Sequence, residues 1–242
     1  MKKGNYTYVW VSFIILVFGI IFIPKIIERI KEGTVVENDR MNIKDNKGEL
    51  AFVEINGSKR RVPDFTFFNQ DSLVITNRDY LGKVYIVEFF FTSCPSICPI
   101  MTKNLVQIQD EFKEFENFGV ASFSIDPAND RPTALKEYTE KYGITNMDWH
   151  LLTGDKEKIY ELANTGFNIF AAENPNVAGG FEHSGMFALV DKRGFIRSRV
   201  DQFGNPIIYY RGAIAVQDGV NDEGETEQIT ILKEDIKKLL NE

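Results

Sequence analysis

A nearly continuous apolar run at residues 84–91 (VYIVEFFF) constrains the fold more than any other feature of the chain. Such a run is typical of a central strand that is covered on both faces. Two cysteines, Cys94 and Cys98, follow at once, and from Met101 to Phe115 apolar residues recur at spacings of four and three. This spacing predicts a helix with one apolar face. The sequence therefore predicts that the cysteine pair lies where a buried strand passes into a helix.

Strands and helices alternate through the rest of the chain, which predicts an α/β fold with a mixed central sheet. We predict strands at 119–125, 149–152, 186–190 and 195–200, and helices at 132–142, 155–165 and 229–240. Together these elements define one domain over residues 63–242, in which residues 201–228 are rich in turn formers and acids and are interpreted as an insertion.

The N-terminal part predicts a membrane anchor. Residues 9–23 contain no charge, and a spanning helix needs roughly 17–25 apolar residues. A cleaved signal peptide would need a small-residue site after this run, where Pro24 and Lys25 stand instead. We therefore predict one N-terminal transmembrane helix within residues 1–32. A tether and a β-hairpin around Asn56-Gly57 follow at 33–62.

The composition excludes several classes of protein. Nucleic-acid binding needs a basic surface, but 28 basic and 35 acidic residues give this chain a net charge of −7. Two cysteines and two histidines are too few for a disulfide-rich scaffold. Metal or redox chemistry at soft ligands therefore depends on Cys94, Cys98, His150 and His183.

The spacing of the cysteines suits two kinds of chemistry. Four residues apart on a helix, two Cα atoms lie roughly 6 Å apart on one face, within the ~4.4–6.8 Å range of disulfides. The same spacing lets both sulfurs bind one soft metal ion. His183 is the natural third ligand, because it directly precedes a strand that could lie beside the carboxyl end of the strand before the cysteines, where open α/β sheets place their sites. His150, beside Trp149 at a strand start, is interpreted as a packing or surface residue.

Three segments of the sequence resemble the SCO/SenC family of copper-binding accessory proteins for cytochrome c oxidase assembly. They are FFFTSCPSICPIMTKNL, SIDPANDRP and EHSGMFALVDKRGFIR. The resemblance covers about residues 60–200 and the last helix. It implies a thioredoxin-like fold on an N-terminal anchor, and Cys94, Cys98 and His183 as ligands of Cu(I) or Cu(II). It also implies a single-pass membrane protein with an extracytoplasmic (periplasmic) domain and a copper-receiving oxidase subunit as partner.

Some positions depart from the family pattern or leave their role open. Ser96 and Glu182 stand where many members have aspartate. Asp126 and Asp130 are interpreted as turn and helix-cap residues. Glu88 interrupts the apolar strand, either as a partly solvated strand-edge residue or as a buried carboxylate that moves protons at the first cysteine.

The leading hypothesis is a membrane-anchored copper metallochaperone rather than an enzyme. The alternative is a thiol–disulfide oxidoreductase with Cys94 as nucleophile and Cys98 as resolving thiol, the two forming a disulfide when oxidised. Three residues between the cysteines, rather than the two of thioredoxin-type enzymes, favour metal binding. A thiol peroxidase is a third possibility, and it would need Thr92 and an arginine beside the first cysteine.

Overall fold

The computed structural model describes residues 7–31, 50–55, 57–200 and 206–242. They fall into two compact units, one holding the N-terminal helix and the other holding every element from residue 50 onward. The helices are α1 (Thr7–Lys31), α2 (Cys98–Glu111), α3 (Pro132–Tyr142), α4 (Lys156–Glu161) and α5 (Ile229–Asn241). A short 3-10 helix spans Asn77–Tyr80, and a π-helical turn, Leu162–Phe167, continues α4.

Helix α1 lies where the sequence predicts a helix, and Pro24 stands inside it. Its large apolar side chains between Trp10 and Ile23 are exposed. Among the described residues, no helix combines the length and the hydropathy that crossing a membrane requires. The predicted transmembrane anchor is therefore not confirmed.

The strands of the second unit form one central sheet and three two-stranded sheets. They are β1 (Ala51–Phe52), β2 (Glu54–Ile55), β3 (Ser58–Lys59), β4 (Thr66–Phe68), β5 (Val74–Thr76), β6 (Val84–Phe90), β7 (Phe118–Ser124), β8 (Trp149–Leu152), β9 (Ala171–Glu173), β10 (Phe181–His183), β11 (Met186–Val190), β12 (Ile196–Val200), β13 (Pro206–Ile207) and β14 (Tyr210–Arg211).

The central sheet has the order β1-β12-β11-β6-β7-β8, with β13 beside β12 and β14 beside β11. Strands β6, β7 and β8 run parallel to one another, whereas β11 pairs antiparallel with β6. The predicted α/β class with a mixed sheet is thus confirmed. Every residue of β6 and of β7 is buried, as expected for strands that are covered on both faces.

Helices α2 and α5 bury their apolar stripes in the same core as the sheet. Met101, Leu105 and Ile108 of α2 are fully buried, and so are Leu232 and Ile236 of α5. The loop that follows β6 ends where α2 begins. Because β6 and α2 are both packed in the core, both ends of this loop are held in position.

Two stretches outside the predicted domain core contribute strands to the central sheet. Strand β1 pairs with β12, and the predicted hairpin is formed by β2 and β3. Strand β1, which lies within the predicted hairpin region, therefore belongs to the central sheet, whereas β2 and β3 form a two-stranded sheet of their own. The insertion supplies β13 and β14, which pair with β12 and β11; residues 201–205 of it lie outside the described residues, as do residues 32–49 of the tether.

Candidate metal centre

The two cysteines occupy the loop and the helix start that follow β6. Helix α2 begins at Cys98, so Cys94 lies in the loop and not on the helix as the sequence suggested. The loop still brings the two residues together, because the backbone N–H of Cys98 donates to Cys94 Sγ at 3.5 Å. Pro99 suits the first turn of α2, where its missing N–H costs no hydrogen bond.

His183 is the last residue of a small antiparallel hairpin formed by β9 and β10, in which it pairs with Ala171. Gly179 in the hairpin loop has φ +89°, and a Cβ there would lie 3.0 Å from atoms of Phe91 and Pro95. A side chain at position 179 would therefore push the hairpin away from the cysteine loop. The His183 ring also meets Phe91 edge to face, with centroids 6.0 Å apart.

The ligand atoms of Cys94, Cys98 and His183 all lie within 4.8 Å of one another. Cys98 Sγ and His183 Nε2 are 3.2 Å apart. Cys98 is fully buried, Cys94 is 8% exposed and His183 is half-buried. The three side chains thus form a pocket of two sulfurs and one ring nitrogen that opens to solvent on the side of Cys94 and His183. Their role as ligands stays a prediction.

The two thiols differ in acidity because they share one site. A hydrogen bond from the Cys98 thiol lowers the pKa of Cys94, with further donors in the His183 ring and the Cys98 and Ser96 backbone. The thiol that donates, Cys98, has its pKa raised by the same hydrogen bond and by burial. The first negative charge therefore resides on Cys94, the more exposed sulfur. Ser96 Oγ lies 3.7 Å from this sulfur.

Asp130 fixes the cysteine loop, a role that the sequence analysis missed. It is fully buried and accepts hydrogen bonds from the Thr92 backbone at 3.0 Å, from the Thr92 hydroxyl and from the Ser124 hydroxyl. The helix-cap interpretation is wrong, since the N-cap of α3 is Arg131, which makes no side-chain cap. Because β6 and β7 are parallel, the segments that follow them meet at one edge of the sheet. Applied to the predicted strands, this rule could have indicated that Thr92 and Asp130 lie close together.

We expect Asp130→Asn to destabilise the domain by about 1–2 kcal/mol, because one of the two acceptor oxygens becomes an NH2 donor and the groups that donate to that oxygen lose their charged acceptor. Urea unfolding of the reduced chain would measure this change. Asp110→Asn, an exposed substitution on α2, serves as the matched control. Equal midpoints for the Asp130 variant and the unsubstituted chain would contradict the bracing role.

Other predicted residues lie apart from the three ligands. His150 is half-buried, with its Nδ1 3.3 Å from the Asn69 amide nitrogen, so it packs away from the metal pocket. Asp126 is a turn residue that accepts from the Asn129 side chain at 2.8 Å. Glu182 is exposed and accepts from Asn174. The Thr92 hydroxyl is engaged by Asp130, which weakens the peroxidase alternative.

Glu88 is buried in the central strand β6, so the strand-edge interpretation is wrong. Its Oε1 accepts from the Ser122 hydroxyl at 2.6 Å, and its Oε2 has no hydrogen-bond partner among the described residues. Burial raises the pKa of Glu88 to about 7. The proposed proton transfer to the first cysteine stays a prediction.

Comparison with known proteins gives one consistent family. The family model described as SCO1/SenC matches residues 53–214. The "SCO1 protein homolog" of Bacillus subtilis is 35% identical over 136 residues, which are 55% of this chain and 69% of that protein.

Two solved structures share the fold. A SCO1/SenC family lipoprotein from Bacillus anthracis superposes with a TM-score of 0.61 at 28% identity, covering 74% of this chain and 95% of that one. BsSco, described as having a disulfide switch and as a member of the Sco family of cytochrome c oxidase assembly proteins, gives a TM-score of 0.58 at 27% identity over 75% of this chain and 94% of its own. The likeness confirms the thioredoxin-like fold of that family.

Proposed function

The chain belongs to the SCO1/SenC family, and on this basis we propose that it binds one copper ion through Cys94, Cys98 and His183 and assists assembly of the copper centre of cytochrome c oxidase. The observation that carries the proposal is the convergence of these three donor atoms within 4.8 Å. The rest of the proposal draws on the family and on the chemistry of the donors.

The donor set fits copper. Thiolate sulfurs are soft ligands that suit Cu(I), and an imidazole beside them also suits Cu(II). Structural zinc sites use four protein ligands, but among the described residues no other His, Cys, Asp or Glu joins this group. Two sulfurs and one nitrogen at a partly open pocket favour an ion that is held at low coordination number and can be passed on.

Copper loading and cysteine oxidation exclude each other. The ion needs both thiolates, whereas oxidation of the two thiols to a Cys94–Cys98 disulfide removes two electrons and two protons and leaves no thiolate to bind. A chain that gives up its copper and is oxidised cannot reload until it is reduced. The related BsSco is described as having a disulfide switch, which supports a redox role for the pair in this chain as well.

Anaerobic titration of the reduced full chain with Cu(I) tests the proposal. We expect one tightly bound copper per chain, with sulfur-to-copper absorption when Cu(II) is used instead. The chain oxidised at its two cysteines provides the control and is expected to bind no tight copper. Loading beyond one ion, or equal loading of both redox forms, would contradict a site made of these three ligands.

A thiol–disulfide oxidoreductase is the second candidate, and the lowered pKa of the Cys94 thiol, the more exposed of the two, favours it. In that reaction the Cys94 thiolate attacks a partner disulfide and releases one partner thiolate. Cys98 then displaces the second thiolate, so the partner gains two electrons and this chain becomes the disulfide. Reduction of a model disulfide peptide by the copper-free chain, but not by Cys94→Ser, would support this activity.

We also propose that residues 7–31 hold the domain at the extracytoplasmic face of a membrane. The apolar residues of this segment and the membrane location of the oxidase support the proposal. Carbonate extraction of membranes separates an embedded chain from a peripheral one, and protease protection in intact cells reports the side on which the domain lies. A chain recovered entirely in the soluble fraction would contradict the proposal.

A further inference from the structure

A groove of about 490 Å³ lies directly beside the metal centre. Its lining includes Ile97, which precedes the ligand Cys98, and residues 184–186, which follow the ligand His183. The opposite wall comes from the segment at 211–225, which the metal site does not use. We call this cavity the side groove.

The walls of the side groove are tied to the elements that carry the metal ligands. The Asn104 side chain of α2 donates to the carbonyl oxygens of Gly212 and Ile214, each at 2.9 Å. The backbone N–H of Gly212 donates to Gly185 O, also at 2.9 Å. These bonds join α2, which begins at Cys98, to the segment after His183. The groove is therefore preformed in the same rigid frame as the metal pocket.

The floor of the side groove is apolar and close-packed around a glycine. Gly185 has φ +64°, and a Cβ there would lie 3.0 Å from Ala213 Cβ and 3.2 Å from Ile97 Cδ1. Met186 and Ile214 complete the apolar lining. An apolar groove next to a partly open metal pocket is typical of a surface that another molecule covers.

One rim of the side groove is acidic. Arg211 pairs with Glu225 at 2.7 Å. Asp222 and Glu223 lie on the same rim, are exposed, and form no ion pair among the described residues. The segment 201–228 contains six carboxylates and one arginine in a chain whose total charge is −7. Within the part of the chain that the structure describes, Asp222 and Glu223 therefore leave negative charge on this rim that no ion pair neutralises.

We propose that the side groove docks an extended segment of the protein that exchanges copper or electrons with Cys94. This segment carries an apolar side chain that covers the floor and a lysine or arginine that meets Asp222 and Glu223. Charge complementarity at a rim of this kind speeds the encounter between two proteins and fixes their relative orientation. The bound segment would lie alongside the open side of the three ligands. The inference rests on the proposed function, since it names how the partner of that site is recognised.

Fluorescence anisotropy with a short labelled peptide of alternating leucine and lysine tests the docking, with a leucine–glutamate peptide as control. The full chain is expected to bind the lysine peptide and not the glutamate peptide. Asp222→Asn combined with Glu223→Gln is expected to weaken binding about three- to tenfold and to flatten its salt dependence. Glu137→Gln combined with Glu140→Gln removes the same charge from exposed positions of α3 and is expected to leave affinity unchanged.

A second variant tests the floor separately from the charge. Ala213→Leu fills the groove beside Gly185 and is expected to weaken binding of the lysine peptide by about tenfold. A loss of this size corresponds to roughly one lost apolar contact. Peptide affinity in both groove variants equal to that of the unsubstituted chain would overturn the docking proposal. Copper titration of each variant runs in parallel. Intact copper binding with unchanged peptide affinity refutes the groove only, whereas failure of the unsubstituted chain to bind copper refutes the proposed function.

Discussion

Replacing Cys98 with serine is expected to lower the affinity for Cu(I) by more than about a hundredfold. Loss of an outer-sphere partner alone typically costs about 10–100-fold in metal affinity, and here a thiolate ligand itself is lost. Cys98 is the fully buried sulfur and lies 3.2 Å from His183 Nε2. We expect a similar loss for Cys94→Ser and a strong but smaller loss for His183→Ala. Competition titration against a Cu(I) chelator measures all three.

The chain offers a matched control for each type of substitution. Ser96→Ala alters the same loop beside Cys94 Sγ without removing a ligand. His150→Gln removes the only other histidine, which packs against Asn69 away from the pocket. Both variants are expected to bind copper as the unsubstituted chain does. Undiminished affinity in His183→Ala would remove that residue from the ligand set and leave a two-sulfur site.

Short-range patterns were sufficient to predict the elements that carry the cysteines. The apolar run at 84–91 became the central strand β6, and the spacing that starts at Met101 became α2, although this helix ends at Glu111, before Phe112 and Phe115. The cysteine loop is local in sequence. The apolar strand before it, the prolines within it and the apolar face of the helix after it together determine its position. Helix α2 begins at Cys98, so Pro99 and not Pro95 lies in its first turn.

The parts that sequence patterns missed depend on contacts between distant segments. The pairing of β1 with β12 joins residues about 150 apart, and only two residues of β1 take part. Buried Arg197 helps to hold that edge, since its guanidinium donates to Leu50 O at 2.7 Å and pairs with Asp191 and Glu242. No periodicity marks an arginine as buried, and charged residues are usually exposed. The link from Asn104 to the 212–214 segment was invisible for the same reason.

The position of His183 was partly predictable. The sequence placed it before a strand beside the carboxyl end of the cysteine-bearing strand, and β11 does pair with β6, antiparallel, so that β11 begins at that end. The small β9–β10 hairpin that carries it was not predicted, because each of its strands has only three residues and no alternating pattern. Gly179, whose φ of +89° lets the hairpin loop approach Phe91, could be recognised only once that contact was known.

The buried Glu88 carboxyl should make the stability of the metal-free domain depend on pH. The folded state raises its pKa from an ordinary 4.5 to about 7, and burial is the cause. Below about pH 4 the carboxyl is protonated in both the folded and the unfolded chain. As the pH rises through the window between the two pKa values, the unfolded chain loses this proton first, so the free energy of unfolding falls. At 1.36 kcal/mol per pKa unit, the total decrease is about 3 kcal/mol.

Glu88→Gln is expected to remove this decrease, because the amide stays neutral at every pH. The two chains should therefore differ in the slope of stability against pH between about pH 4 and about pH 7, whatever constant offset the amide introduces. Urea unfolding of the reduced, metal-free chain across that range measures the slope. Glu137→Gln, at an exposed position of α3, controls for the general loss of one carboxylate. Parallel pH profiles for the Glu88 variant and the unsubstituted chain would show that the carboxyl is already ionised in the folded core. In that case Glu88 has no buried proton to offer the cysteine thiols.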